Sequence, residues 1–230
     1  MDRPLVSVVI AAKNAERYLR EALDSVMAQT YDRHETIVVD GHSTDGTAEI
    51  AESFPGVRHV LQRGSGFAVA WNEGIDVAQG DVVALLDSDD VWTRDKLALQ
   101  VARLHAAPRV DCVLGHLRFF LGGEGPPPPS FRVELLNSAH PGHMPGALLA
   151  RRAVFDTVGR FGAAWEIASD VDWFARLKDS GTPVAMLPDV VLHKRVHDSN
   201  LSYTAQVPTY NREILRALKE SADRQRGRAR

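Results

Sequence analysis

From residue 5 to residue 106, short β-rich runs alternate with longer helical patterns, and this regularity limits what the chain can fold into. The candidate strands are LVSVVIA, HETIVVD, VRHVLQ and DVVALLD; the candidate helices are AERYLREALDSVMAQ, DGTAEIAESF, FAVAWNEGIDVAQ and TRDKLALQVARLHAA. Strands that read as continuous apolar runs are buried on both faces, and helices between them supply the cover. The expected fold class is therefore α/β, with a mostly parallel central sheet between two helical layers. Ligands of such sheets lie beyond the carboxyl ends of the strands. Three polar clusters fall at those ends: Lys13 with Asn14, Asp40 through Asp45, and Asp87 through Asp90. One rim should collect all three.

The remaining bulk properties exclude more than they assign. A net charge of −3 over 230 residues gives no basic domain or stripe for nucleic acid, so no nucleic-acid partner is expected. The single cysteine, Cys112, allows no intrachain disulfide and reads as a buried bystander, which suits a reducing cytoplasm. The opening MDRPLVSVVIAAKN has too short an apolar run for a bilayer span and no signal-peptide cleavage pattern, so it reads as a first strand.

The second half is less regular. VDCVLGHLRFFL reads as a strand, and GGEGPPPPS after it as an exposed loop with a polyproline tip. ARRAVFDTVGRFG suggests a short helix ended by Gly159, SDVDWFARLKDSG a second ended by Gly181, and VAMLPDVVLHKRV strand-like pieces. From Arg212 onward there are seven Arg or Lys against three acids, a net of +4 on a helical pattern. It reads as a frayed, solvated helix end, with weak attachment to an anionic membrane surface as the alternative. The organisation expected is a domain over residues 1–205, with a nucleotide-binding half (1–106) and an acceptor-side half (107–205), followed by a basic helix or tail (206–230).

Three carboxylates within the four residues Asp87-Ser88-Asp89-Asp90 repel one another and call for compensation. A helix N-terminus would account for Asp90 but hardly for all three. A divalent cation, Mg²⁺ or Mn²⁺, would relieve the repulsion directly, and two carboxylates one residue apart at a strand end can face one cavity. The third reading makes Asp87 a phosphoryl-accepting nucleophile, since an apolar strand followed by D-x-D-x-V resembles the first motif of haloacid-dehalogenase-like phosphatases. That motif usually opens its fold, whereas here three strand-helix units precede it.

The ordered series SVVIAAKN, ETIVVDGHSTDGT, GSGFAVAWNEGIDVAQGDVVALLDSDDVW, GALLARRAVFDTVGRFG, SDVDWFARL and KRVHDSNLS resembles glycosyltransferase family 2, a GT-A fold, over residues 4–203. The resemblance implies a nucleotide-diphospho-sugar donor, of UDP type, and inversion at the anomeric carbon. It implies further that Asp40 accepts a hydrogen bond from the base, that the backbone near Ala11 and the side chain of Lys13 flank that base, and that Gly66 runs close to the donor. The family often has an aromatic residue where Lys13 stands. Asp87-Ser88-Asp89 aligns with the D-x-D element, in which Asp89 binds the metal and Asp87 contacts ribose or a metal-bound water. Asp170 takes the place of the catalytic base, although the family's preceding Glu is Ser169 here, leaving Ser169 or Glu166 to orient it. Asp172 would face away from Asp170. His197 matches a histidine that approaches the metal or diphosphate, with Arg195 as a diphosphate contact. His193, four residues before His197, lies on a strand-then-loop pattern that does not suit a helical zinc pair. Pro145-Gly146-Ala147 resembles the loop below the sugar, and Trp165 and His143 would line the acceptor side. Nothing short in the sequence distinguishes a glycan, lipid-linked, small-molecule or peptide acceptor. A silent sugar-nucleotide or partner-binding module on the same fold is the alternative from a different class.

Overall fold

The computed structural model describes residues 3–123, 126–203 and 207–228. Met1 and Asp2 of the opening segment, Glu124 and Gly125 of the proline-rich loop, the expected domain boundary at 205/206 and the last two residues of the tail lie outside them.

Strand β1 (Val6–Ala12) is buried at every residue. It pairs in parallel with β2 (His34–Asp40) on one side and with β4 (Val82–Asp87) on the other, and β2 pairs in parallel with β3 (Val57–Leu61). Val6, Val8 and Ile10 of β1 join a core with α1 (Leu19–Met27) and α4 (Lys96–Ala106). Val9 and Ala11 join a second core with α3 (Phe67–Val77). Both faces are covered, which is why the strand has no polar alternation.

The second half turns the sheet mixed. Strand β8 (Leu149–Arg151) pairs antiparallel with β4 and with β6 (Cys112–Leu121), and β6 pairs in parallel with β9 (Val184–Val196). The two-residue β5 (Val91–Trp92) pairs antiparallel with β9, and β7 (Ala139–Pro141) with β6. The spatial order is β3-β2-β1-β4-β8-β6-β9-β5, with β7 attached to β6. The parallel pairs lie in the first half and in β6–β9, and the antiparallel pairs are those of the short strands β5, β7 and β8. Residues 184–196 form one strand rather than separate pieces, because the β6 ladder accommodates a register shift on either side of His116. Residues 150–162 begin with the end of β8 before the short helix α5 (Val154–Thr157), because Arg151 and Ala150 pair with β4.

Helix α6 (Ser169–Ser180) ends at Gly181, with φ +75°, as the sequence suggests. Helix α7 (Val207–Arg228) is docked on the domain rather than solvated all round. It docks on α6 through Asp179, which accepts hydrogen bonds from Ser221 Oγ (2.9 Å), Arg224 Nε (2.8 Å) and Gln225 Nε2 (2.8 Å). Burial costs the Asp179 carboxylate, but these donors outweigh that cost and hold its pKa below the ordinary value. Among the described residues no helix is long and apolar enough to cross a membrane.

Candidate active site

In register, Ala12 lies beside Asp40 and Ala11 beside Asp87, so the ends of β1, β2 and β4 meet at one rim. The loops that follow are tied together. Asn14, with φ +49°, accepts the Thr44 N–H at 2.9 Å, and its own N–H donates to Ser43 Oγ at 2.8 Å. The Ala15 N–H donates to Thr47 Oγ1 at 2.7 Å. Asp45 accepts the N–H and hydroxyl of Thr47 at the entry to α2 (Thr47–Glu52), which fits the local-turn reading of residues 44–46.

On the β2 side of the rim, a cleft is lined by Ala11, Ala12, Lys13, Gln62, Gly66, Phe67 and Ala70. Asp40, 1% exposed, closes that side of β2. Its Oδ1 accepts the N–H (2.8 Å) and hydroxyl (2.6 Å) of Ser43, and its Oδ2 lies 3.3 Å from His59 Nε2. Gly66 starts α3 with φ +89°, a backbone conformation that favours glycine, while a Cβ there would meet nothing within 4 Å. Its carbonyl accepts from Gln62 Nε2 at 3.0 Å. Lys13 is exposed, and Phe67, from the start of α3, lines the same cleft.

Beyond β4, Asp87, Asp89 and Asp90 bring carboxylate oxygens within 4.8 Å of one another, with Ser88 half-buried between them. Lys194 of β9 provides the first compensation. Its Nζ lies 3.1 Å from Asp87 Oδ2 and 3.0 Å from Asp90 Oδ2. Burial disfavours its charge, but the three carboxylates outweigh that and raise the Lys194 pKa far above the usual lysine range. Asp90 has no helix-capping role. It is 1% exposed, and its Oδ1 accepts the Arg195 N–H at 2.9 Å, fastening the turn to β9. Burial, against the pull of Lys194, raises the pKa values of Asp87 and Asp90.

Asp89 behaves differently. Burial opposes its charge, but Lys194 and then His197 prevail and lower its pKa to about 2. His197 Nε2 lies 2.9 Å from Asp89 Oδ2, and Asn200 Nδ2 donates to the same oxygen at 3.1 Å. Oδ1 receives no hydrogen bond among the described residues. An ionised, half-buried carboxylate beside an imidazole, within a cluster of oxygen donors, fits a hard divalent cation.

Arg195 points elsewhere. Its guanidinium lies between the rings of Tyr18 (4.5 Å) and Phe120 (4.6 Å), donates to the Asp89 carbonyl at 2.7 Å and pairs with Glu21 at 2.5 Å. Neighbouring strand residues face opposite sides, so Lys194 rather than Arg195 presents its charge to the carboxylates. Lys194 and Asn200 escaped the sequence reading. Strand parity separates Lys194 from Arg195, but only the fold shows which of them faces the rim.

Asp170 lies in the first turn of α6. Burial drives its pKa up to about 6; its neighbouring backbone N–H groups oppose this, and the charge of Asp87 adds to it. Asp172 turns to its own helix and accepts from Arg176 Nε at 2.9 Å. Glu166 is exposed, and Ser169 makes no side-chain hydrogen bond among the described residues. The turn before α6 is instead held by Glu213 of α7, whose carboxylate accepts the N–H groups of Glu166, Ile167 and Ala168, each at 2.9 Å. Sequence reasoning missed Glu213, because nothing local links it to a turn 45 residues away.

The loop of Pro145, Gly146 and Ala147 is shaped by the protein's own packing. A Cβ on Gly146 would lie 2.9 Å from the Leu192 side chain, and the Gly146 carbonyl accepts from Trp92 Nε1 at 2.8 Å. Trp165 is buried with Arg216 of α7 over its ring at 4.2 Å, while His143 is exposed. His193 pairs with Val91 in the sheet and packs edge-on to Phe120, away from His197.

The solved structures similar to this one share its architecture. TarS of S. aureus in complex with UDP-GlcNAc superposes with a TM-score of 0.71 at 21% identity, over 85% of this chain and 59% of that one. The mannosyltransferase PcManGT from Pyrobaculum calidifontis, in complex with GDP-Man and Mn²⁺, gives 0.62 at 28% identity, over 84% and 57%. An α/β protein of GT-A fold is the class that the sheet and its rim define. Among curated proteins, a putative teichuronic acid biosynthesis glycosyltransferase of Bacillus subtilis is 43% identical over 104 residues, 43% of this chain and 41% of that protein. A PGL/p-HBAD biosynthesis glycosyltransferase of Mycobacterium bovis is 29% identical over 233 residues, covering 95% and 85%. The family description "Glycosyl transferase family 2" matches residues 7–167, and the chain belongs to that family. It spans about two fifths of the Bacillus relative and three fifths of TarS.

Proposed function

We propose that the chain is an inverting glycosyltransferase that moves a sugar, of hexose type, from a UDP-sugar to an acceptor hydroxyl or other nucleophile, with Mn²⁺ or Mg²⁺ assisting. The observation that carries this reading is the shared rim: the cleft lined by Ala11, Lys13, Gln62 and Gly66 opens at the end of β1, where Asp40 lies beside Ala12 on one side and Asp87 of the carboxylate cluster lies beside Ala11 on the other. Asp40 suits the N3–H of uracil, with Lys13 and Phe67 flanking the base and the backbone of Ala11 and Gly66 beneath it. Asp89 and His197 would hold the cation, with Asp87 directed to ribose or a metal-bound water. When bound, the ion offsets charge that develops on the departing diphosphate. Lys194 contributes positive charge to the same region from the protein itself.

Asp170 is the base in this reading. A carboxyl pushed up to about 6 is ionised at neutral pH yet basic enough to take a proton. It removes the acceptor proton as the acceptor oxygen forms its bond to the anomeric carbon. The bond from that carbon to the diphosphate breaks on the opposite face, and the nucleoside diphosphate leaves with the electron pair. Membership of family 2 supports transfer chemistry over the phosphatase reading of Asp87. The acceptor is not specified by these residues, and α7 supports a peripheral contact with anionic membrane as a further part of the proposal.

Calorimetric titration of UDP, GDP, dTDP and CDP, with Mn²⁺ and with chelator, tests the donor site. UDP should bind with metal and lose binding in Asp89→Asn. Asp170→Asn should keep nucleotide binding and lose UDP release from the UDP-sugar. Absence of nucleotide binding in every condition would overturn the reading, and binding without transfer or donor hydrolysis in the wild type would make the chain a silent binding module.

A further inference from the structure

We infer that Glu213, on the C-terminal helix, is a positioning residue for Asp170; the inference rests on Asp170 as the base. Three consecutive backbone N–H groups, those of Glu166, Ile167 and Ala168, point at one carboxylate that is 9% exposed. Ala168 is the residue that enters α6, and Asp170 follows two residues later. A carboxylate with two acceptor oxygens can take all three donors, whereas an amide at the same place offers one oxygen and turns an N–H₂ toward a donor. Burial works against the charge on Glu213, but the three N–H groups outweigh it and hold its pKa below the ordinary range. One turn further along α7, Arg216 covers the ring of Trp165, so successive turns of this helix grip residues 165–168.

Tyr210, in the first turn of α7, feels the charge of the base. Burial pushes the Tyr210 hydroxyl up to about 12, and the nearby charge of Asp170 acts in the same direction. The charges of Asp87 of β4 and Lys194 of β9 act on Asp170, Asp170 acts on Tyr210 of α7, and the charge of Arg212 acts on Glu213. The family's carboxylate before the base is Ser169 in this chain, so the orienting carboxylate comes from another helix. Placement of a base to within a fraction of an ångström governs rate more than donor affinity, and an error of about 1 Å costs on the order of 100-fold.

The test is a double-mutant cycle of Glu213→Gln and Asp170→Asn, read as nucleotide release from whichever UDP-, GDP-, dTDP- or CDP-sugar the wild type hydrolyses fastest, with donor Kd measured alongside. Glu213→Gln should lower kcat by roughly 10- to 100-fold with donor Kd unchanged, and should cause no further loss in the Asp170→Asn background. An equal fold-loss in both backgrounds would mean that Glu213 acts on stability or on another group, and overturns the inference. So would an unchanged kcat in Glu213→Gln while Asp170→Asn is inactive. If Asp170→Asn keeps full activity, or if the wild type releases nucleotide from no donor, the reading of the base fails first and takes the inference with it. Glu213→Gln is isosteric, and a thermal midpoint measured for each variant ensures that every rate is taken on folded protein.

Discussion

Lys194 sets the charge balance of the rim. It is the one cation among the described residues that touches two of the three clustered carboxylates, and Asp90 has no accessible side-chain surface of its own. Lys194→Met should therefore destabilise the fold by about 3–5 kcal/mol, because it leaves buried carboxylates without a partner. The pH dependence follows from the same imbalance. Without Lys194, burial raises the folded pKa values of Asp87 and Asp90 still further above their unfolded values, so the folded state binds more protons. The penalty should be full at pH 8 and shrink as pH falls through the raised values, and added Mn²⁺ should recover part of it at pH 8. Thermal midpoints at pH 8 and pH 5, with and without Mn²⁺, check this; a loss independent of pH and metal would contradict it. The sequence announced the need for compensation through Asp87, Asp89 and Asp90. It could not say that Lys194 meets part of that need, since the choice between Lys194 and Arg195 depends on how β9 lies across β5.

The elements read from the sequence differ in how local their causes are. Strands β1, β2 and β4 were legible because each is largely an apolar run buried between helical layers, and the half-buried edge strand β3 because it falls between two helical patterns. The two-residue β5 and the three-residue β7 and β8 carry no periodicity, and only their partners in β9, β6 and β4 make them strands. Helix α7 was legible as a helix but not as a docked one, because its anchors, Asp179 and the turn at 166–168, lie far back in the chain. Its two faces follow from that docking. Glu213, Ala217 and Ser221 are buried against α6, while Leu215 (68% exposed), Leu218 (56% exposed), Arg212 and Lys219 face outward. An outward face with leucines among cations matches an anionic bilayer surface, where each cation contributes about 1 kcal/mol. In a flotation assay the protein should rise with vesicles containing phosphatidylserine and not with pure phosphatidylcholine. Leu215→Ser with Leu218→Ser should abolish that without changing nucleotide binding, and flotation that ignores lipid charge would exclude the contact.

At the scale of the molecule, the first half and the second half of the chain share one sheet through β4, β8 and β6, and Cys112 sits at that junction. It is fully buried, pairs with Ala150 of β8 and Val184 of β9, and belongs to the core beneath α3 and α6. Burial pushes its thiol up to about 12, so in the native state it is neither accessible nor ionised at neutral pH. A thiol reagent can then reach it only through an opening that breaks the β6 ladder. If both halves open together, a ligand bound at the β1–β4 rim must suppress that opening although it touches no atom near Cys112. With UDP and Mn²⁺ at about 100 times Kd, modification of Cys112 should slow by about 100-fold, the full linkage factor for a ligand that binds only the closed state. Slowing of only a few-fold would mean that the second half unfolds while the first half stays closed. The second half would then be a separately opening unit, and α7, gripping residues 165–168 from that side, would couple its opening to the placement of Asp170.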